Sequence, residues 1–352
     1  MLCSQLGKSV VVGHRRCLPA CAVERKAGHR RVGKVNSTRR NAAVRTQAVS
    51  TTEPETAQVQ KNSESWQACD SILPPWGKKG TSLHQVEDGL WYLRQDFFDG
   101  SAPYFNAYNT CFIVRLPGDL GNMAVSPCSM TEEAKYLLNQ VPGIAEKGIQ
   151  HIVANSVSPE HWTFTPGLLK MYPDATVWAC PGIDTTSAAV GQAGGVDLWR
   201  SLFDDIKRSD GSAPNIRVIE NNDTPFAPPE LGGDVEFAVF CSDPPILQET
   251  TVLIKSKRAI VLGDMGFTQE TEIQNSAPDF AKFLYSAFKL NTSLAAPIPY
   301  PAMAKNPELG AQWKAKVMSW PEWDRLLCCH LQPVVPDGRA RMQECYAFLP
   351  KA

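Results

Sequence analysis

Glu160 and His161 close the stretch IVANSVSPEHW, residues 152–162, and both are of types that bind metal ions or carry protons. An apolar run leads into a polar loop here. Thr165-Pro166 then reads as a helix start, with threonine as N-cap and proline at the first helical position. The end of a strand, just before a helix, is where open α/β sheets place their ligands. The same loop carries serines, Ser156 and Ser158, where a metal site would use imidazoles. A blander reading stands beside this one: His161 only fills the loop or caps the helix.

The apolar pattern supplies the frame for this loop. GLWYLRQDF (89–97) and NTCFIVRL (109–116) are rich in aromatic and branched residues, as strands are. NMAVSP (122–127) follows the second across the polar turn PGDLGN, so those two form a hairpin. SMTEEAKYLLNQVPG reads as a helix capped by a Ser129–Glu132 box, with Ala134, Leu137, Leu138 and Val141 at helical spacing and Pro142 ending it. GIQHIVANS (148–156), the short helix GLLKMYP and the strand ATVWAC (175–180) complete a β-α-β-α-β run, which requires parallel neighbours in a covered sheet. Residues 181–233 are rich in Gly, Asp and Ser, and only DLWRSLFDDI reads there as a helix.

A second β block begins at Val235 with VEFAVFC, then TTVLIK and RAIVLGD, the last two joined by the tight turn KSKR. Two amphipathic helices follow. One is PDFAKFLYSAFKL, with Phe280, Phe283, Leu284 and Phe288 on one side; the other is PELGAQWKAKVMSW, with Leu309, Trp313, Val317 and Trp320. Between them IPYPAMAKNP reads as a proline-rich loop, and WDRLLCCHLQPVV as one last strand before a short C-terminal helix. Two β-rich halves, each followed by helices, predict an α/β fold of the αββα sandwich type over residues 81–350.

Composition narrows the function. Residues 1–50 hold eleven Lys/Arg and one acid, Glu24; removed from the chain's 35 basic and 36 acidic residues, that leaves 24 and 35. The body is acidic, which excludes nucleic acid as its main partner. The stretch RKAGHRRVGKVNSTRRNAAVRTQAVS has the composition of an organelle transit peptide, read over residues 1–48. VRTQAVS resembles the processing region of algal chloroplast transit peptides, so the expected location is the chloroplast, in the stroma or peripheral to the thylakoid, with the mitochondrion as the alternative. Residues 49–80 read as a disordered acidic linker. No apolar run reaches the roughly 20 residues that span a bilayer. The chain has eleven cysteines and no CxxC, which excludes a zinc ribbon, and Cys328-Cys329 on a strand would point to opposite faces as buried small hydrophobes. GQAGG (191–195) lacks the spacing of a phosphate loop, and the aromatics of residues 91–108 read as sheet packing with an ordered loop.

The order of elements resembles the metallo-β-lactamase superfamily, over roughly residues 81–350. VEDGLWYLRQ, QHIVANSVSPEH, YPDATVWACPG and ETTVLIKSKRAIVLGD are similar to a plant and cyanobacterial branch of it, a branch of unassigned function. In that superfamily an HxHxDH loop, a later His, a Gly-Asp and a final His hold one or two metal ions that activate water. The resemblance places Ser156 and Ser158 at the first two His positions, Glu160 at the Asp and His161 at the last His of the loop. VLGDMGF makes Asp264 the carboxylate that would bridge metals, and CCHLQP makes His330 the final ligand. The remaining His would fall near Pro245, where there is none, and Ser126 replaces an Asp common after the early hairpin strand. Glu249 matches a Glu common in the narrower branch, although as a residue it reads as a strand-edge position.

Three metal candidates therefore remain, His161, Asp264 and His330, with Glu160 as a fourth. A dinuclear hydrolase site lacks its imidazoles. Two functions follow. One is an auxiliary or binding role on a degenerate fold, toward an unidentified protein or small molecule and without a metal. The other is a hydrolase or oxidoreductase with a single Zn²⁺, Fe²⁺ or Mn²⁺ on the surviving groups. The bland alternatives are Asp264 bonding backbone amides of its own turn and His330 as a satisfied core histidine. The two functions part on whether these side chains meet in space.

Overall fold

The computed structural model describes residues 80–96, 108–185, 198–269, 279–287 and 294–351. All lie within the unit Thr56–Ala352. The transit peptide of residues 1–48, the linker up to residue 79, GQAGG and most of the loop between the first two strands read from sequence fall outside the described residues.

Seven strands in sequence order make the larger sheet: β1 Thr81–Glu87, β2 Leu90–Asp96, β3 Tyr108–Arg115, β4 Asn122–Val125, β5 His151–Ala154, β6 Thr176–Ala179 and β7 Asn215–Val218. β1 to β4 are antiparallel neighbours, and β4 to β7 are parallel. The hairpin and the parallel run expected from the sequence both form. The smaller sheet has the order β12-β11-β10-β9-β8, from β8 Val235–Cys241, β9 Gln248–Ile254, β10 Ala259–Leu262, β11 Arg325–Cys328 and β12 Val334–Val335. β9 and β10 pair antiparallel across the KSKR turn, and β10 and β11 run parallel.

Alternation along the strands builds three apolar layers. Phe112 and Val114 of β3 face Phe237, Val252, Val261 and Leu327 of the second sheet, while Cys111 and Ile113 face Ala134, Leu138 and Leu168 on helices. Leu253, Ile260, Leu262 and Leu326 face Trp313, Val317, Met342 and Tyr346 on the far side. Helices, sheet, sheet, helices is the αββα sandwich. Cys328 and Cys329 are fully buried in different layers, Cys328 under the helices and Cys329 between the sheets.

Several local expectations are corrected. Thr131, not Ser129, caps the helix Glu132–Leu138: its hydroxyl accepts from the Ala134 amide, while Ser129's backbone is held by the Gln95 side chain. The helix Thr165–Met171 takes Phe164 as its N-cap, with Thr165 already inside its first turn. IPYPAMAKNP contains the helix Tyr300–Lys305, because prolines in a first turn lack only amides that no helical carbonyl would have met. Among the described residues of DLWRSLFDDI, the helix spans Leu198–Ser201. Of PDFAKFLYSAFKL, the described residues Asp279–Ala287 are helical and Phe283, expected on the apolar side, is exposed, while Phe288 and the side chains of Phe280 and Leu284 lie outside what is described. WDRLLCCHLQPVV is two strands: Leu331 adopts a left-handed φ of 58°, Cys328 N donates to Pro333 O at 2.9 Å, and the chain reverses with His330 in the turn. No helix among the described residues is long and apolar enough to cross a membrane.

A candidate metal centre at the shared sheet edge

Parallel strands end at the same edge of a sheet, and this brings the candidate residues together. Ser126 follows β4, Glu160 and His161 follow β5, Asp264 follows β10 and His330 follows β11. Antiparallel β3 and β9 begin at that edge, with Tyr108 and Glu249. Two contacts seam the sheets there: Ser156 bridges Glu249, and Thr110 N donates to Cys329 O at 2.8 Å.

Glu160, His161, Asp264 and His330 converge, each offering a ligand atom within 4.8 Å of the others. His161 Nε2 and His330 Nε2 lie 3.2 Å apart. Asp264 Oδ1 is 3.7 Å from His161 Nε2 and 3.5 Å from His330 Nε2, and Glu160 Oε1 is 3.9 Å from His330 Nε2. The far side of each ring is tied down. His330 Nδ1 meets the Tyr108 carbonyl at 2.8 Å, so that nitrogen carries the proton and donates it. His161 Nδ1 meets Ser126 Oγ at 2.7 Å, and Phe267 stacks on the His330 ring. Both Nε2 atoms thus face one point, oriented from behind as metal-bound imidazoles are.

The charges agree with that geometry. Burial opposes ionisation of Asp264, but hydrogen bonding and positive charge from His161 and His330 outweigh it, and the carboxyl lies well below the usual range. Burial would lower His330; the Asp264 hydrogen bond and charge, with Glu160 and the Tyr108 carbonyl, carry it up to about 9. Glu160 is raised, first by burial and then by the Asp264 charge. Exposure grades across the group: the side chains of His161 and Asp264 are 0 % and 1 % exposed, those of His330 and Glu160 7 % and 15 %. Solvent therefore reaches the cluster from the Glu160 side.

A single metal ion fits these residues. Asp264 Oδ1 is buried, and its nearest polar neighbours are the two imidazole nitrogens, at 3.5 Å and 3.7 Å. Lone pairs gathered this way in a dry interior demand a cation, either a proton or a metal. Two histidines and one or two carboxylates suit Zn²⁺, Fe²⁺ or Mn²⁺.

A second ion does not fit. Ser158 Oγ donates to Asp264 Oδ2, which occupies the oxygen a bridging carboxylate would turn to another metal. Ser156 Oγ accepts from the Ser158 amide at 3.2 Å, and Pro245 is exposed in the 242–247 turn. The bland alternative for Asp264, bonding the amides of its own turn, does not hold, while His330 is buried with both ring nitrogens in contact. The amides of the Asp264 turn are taken by Glu249 instead. This corrects the strand-edge reading of Glu249: β9 lies between β8 and β10, and Glu249 is fully buried. Sequence reasoning also passed over the Tyr108 carbonyl, which no residue type announces. Ser126 was marked only by the Asp it replaces.

No family model matches the chain, and no curated protein does. Solved structures match its shape. A fragment of a putative diflavin flavoprotein from Nostoc sp. PCC 7120 superposes with a TM-score of 0.50 at 13% identity, covering 78% of this chain and 96% of the fragment. A metal-soaked flavodiiron core from Synechocystis sp. PCC6803 gives 0.49 at 12% identity, covering 77% and 61%. A metallo-β-lactamase from Pontibacter korlensis gives 0.45 at 10% identity, covering 76% and 98%. At such identities the likeness is one of fold.

Proposed function

We propose that this chain, built on a metallo-β-lactamase-like fold, is a metalloprotein that holds one divalent ion on His161, Asp264 and His330, with Glu160 on the solvent side. One observation carries the reading. The two Nε2 atoms and Asp264 Oδ1 meet at a single buried point. An ion held there supplies a Lewis acid for a bound water or substrate oxygen. The chain's own residues do the rest. The Tyr108 carbonyl fixes the His330 tautomer, Ser126 aligns the His161 ring, and Glu160, with its carboxyl raised by burial, is placed to hold or release a proton beside the ion. This supports an enzyme of the hydrolase or oxidoreductase class with a single metal. It speaks against dinuclear hydrolysis, since hydroxyls stand where two imidazoles would be needed.

An auxiliary, metal-free binding role is the competing reading, favoured by those same serines. The arginine-rich, acid-poor residues 1–50 support import into a chloroplast, which N-terminal sequencing of the imported protein tests. For the metal, the experiment is elemental analysis of protein saturated with zinc, iron or manganese and then freed of excess. One equivalent is expected, and less than a tenth of that in His161→Ala. Two equivalents, or none, overturn the proposal.

A further inference from the structure

Glu249 is a buried carboxylate that the single-ion centre does not use as a ligand. Its position is unusual. Oε1 accepts from Gly263 N at 2.8 Å and Met265 N at 3.2 Å, and Oε2 accepts from Asp264 N at 2.5 Å. One side chain thus closes the whole turn that presents Asp264. The backbone around Glu249 holds the other ligand loop at the same time. Val157 N donates to Gln248 O at 3.0 Å, and Thr250 N donates to Asn155 O at 2.7 Å. So residues 248–250 grip the 155–157 loop by main chain and the 263–265 turn by side chain. His161 rides on the first and Asp264 on the second.

A second observation, independent of the hydrogen bonds, points the same way. A Cβ at Gly263 would lie 2.9 Å from Glu249 Oε2 and 3.2 Å from Asn155 Nδ2. The glycine before Asp264 therefore gives the carboxylate room to reach the turn. A side chain at 263 would push the brace away. Glutamate also has the length this needs: aspartate, one methylene shorter, would not span from β9 to three consecutive amides.

We propose that Glu249 is the positioning residue of the metal centre, which sets the direction of Asp264 Oδ1 relative to His161 Nε2. The proposal rests on the single-ion reading. A carboxylate bound to three amides is a rigid support, and losing an outer partner of this kind typically weakens metal binding about 10–100-fold.

The test is Glu249→Gln, which keeps the size of the side chain but turns an amide N–H₂ toward backbone N–H groups. Zn²⁺ affinity is measured by competition with a chromophoric chelator, and coordination geometry by the visible absorption of the Co²⁺-loaded protein. The expected result is a folded variant with Zn²⁺ affinity lowered about 10–100-fold, an altered Co²⁺ spectrum, and faster hydrogen exchange at the amides of Gly263, Asp264 and Met265. Unchanged affinity and spectrum, with only a lower melting temperature, would reduce Glu249 to a structural residue and overturn the proposal. Should Glu249→Gln not fold, Gly263→Ala displaces the carboxylate without removing it and is read by the same two outcomes. Wild-type protein that binds no Zn²⁺ overturns the metal reading and this proposal together. Wild type that binds, beside a variant that binds equally well, overturns this proposal alone.

Discussion

His330 is where the chemistry of single residues becomes measurable. Its imidazolium is stabilised in the fold by Asp264 and Glu160 against the cost of burial, which moves it from an ordinary 6.5 to about 9. A folded-state value above the unfolded one means that the protonated ring favours the native state. That contribution is complete below about pH 6.5 and is lost as pH rises to about 9. Asp264 works in the opposite sense: its lowered carboxyl supports the fold above the ordinary aspartate value and stops doing so in acid. Metal-free protein should therefore lose melting temperature between pH 6.5 and 9, and His330→Ala should flatten that limb. Metal must displace the same proton, so its affinity should rise by up to about tenfold per pH unit across the same window. A melting temperature that climbs through this range in metal-free protein would contradict the pairing. In sequence, His161, Asp264 and His330 stand out through resemblance as carriers of ligand chemistry. The same resemblance marks Glu249 and Ser126 but not what they do, because their roles lie in what they touch 14 to 35 positions away in the chain.

The elements were legible in proportion to their burial. β3, β5, β6, β9 and β10 are buried along nearly their whole length and left apolar runs that sequence reading found. β1 and β7 sit at the two edges of the larger sheet and are half exposed, so their sequences TSLHQVE and NIRV carry little apolar signal. The last strand reads as one because apolar residues flank the reversal on both sides in LLCCHLQPVV, and the left-handed Leu331 has no glycine to mark it. Packing of the C-terminal helix Gly338–Cys345 onto β11 was equally hidden. A Cβ at Gly338 would fall 2.8 Å from the Arg325 carbonyl carbon and 2.9 Å from Leu326 N, and backbone cannot swing aside. Gly338→Ala should cost about 1–3 kcal/mol through forced separation of helix and strand. Urea unfolding monitored by tryptophan fluorescence reads this directly, and a midpoint equal to wild type would show that the helix docks less tightly than described.

At the scale of the whole molecule, the candidate centre joins two sheets that are also held by apolar packing and by main-chain hydrogen bonds at the shared edge. Glu160 and His161 extend from the larger sheet, and Asp264 and His330 from the smaller. The packed interface between the sheets is apolar. An ion bound by both sides adds a link that exists only in the native state, because the unfolded chain does not gather ligands separated by about 170 residues. Its stabilisation follows mass action: free metal at about 100 times its dissociation constant adds roughly 2.7 kcal/mol. For a domain of this size each kcal/mol moves the melting temperature by about 2–4 °C, so saturation should raise it by roughly 5–10 °C. The rise should keep growing with the logarithm of metal concentration at the slope of one ion. Two ions released together would double that slope. His161→Ala removes a ligand from the larger sheet and leaves the other half of the cluster in place, so it should melt near the metal-free wild type and respond little to added metal. Differential scanning calorimetry across a zinc series, with chelator as the zero point, measures all of this. A rise that survives in His161→Ala would place the stabilising ion elsewhere on the molecule, and no rise in wild type would mean that the two sheets meet at this edge without a metal between them.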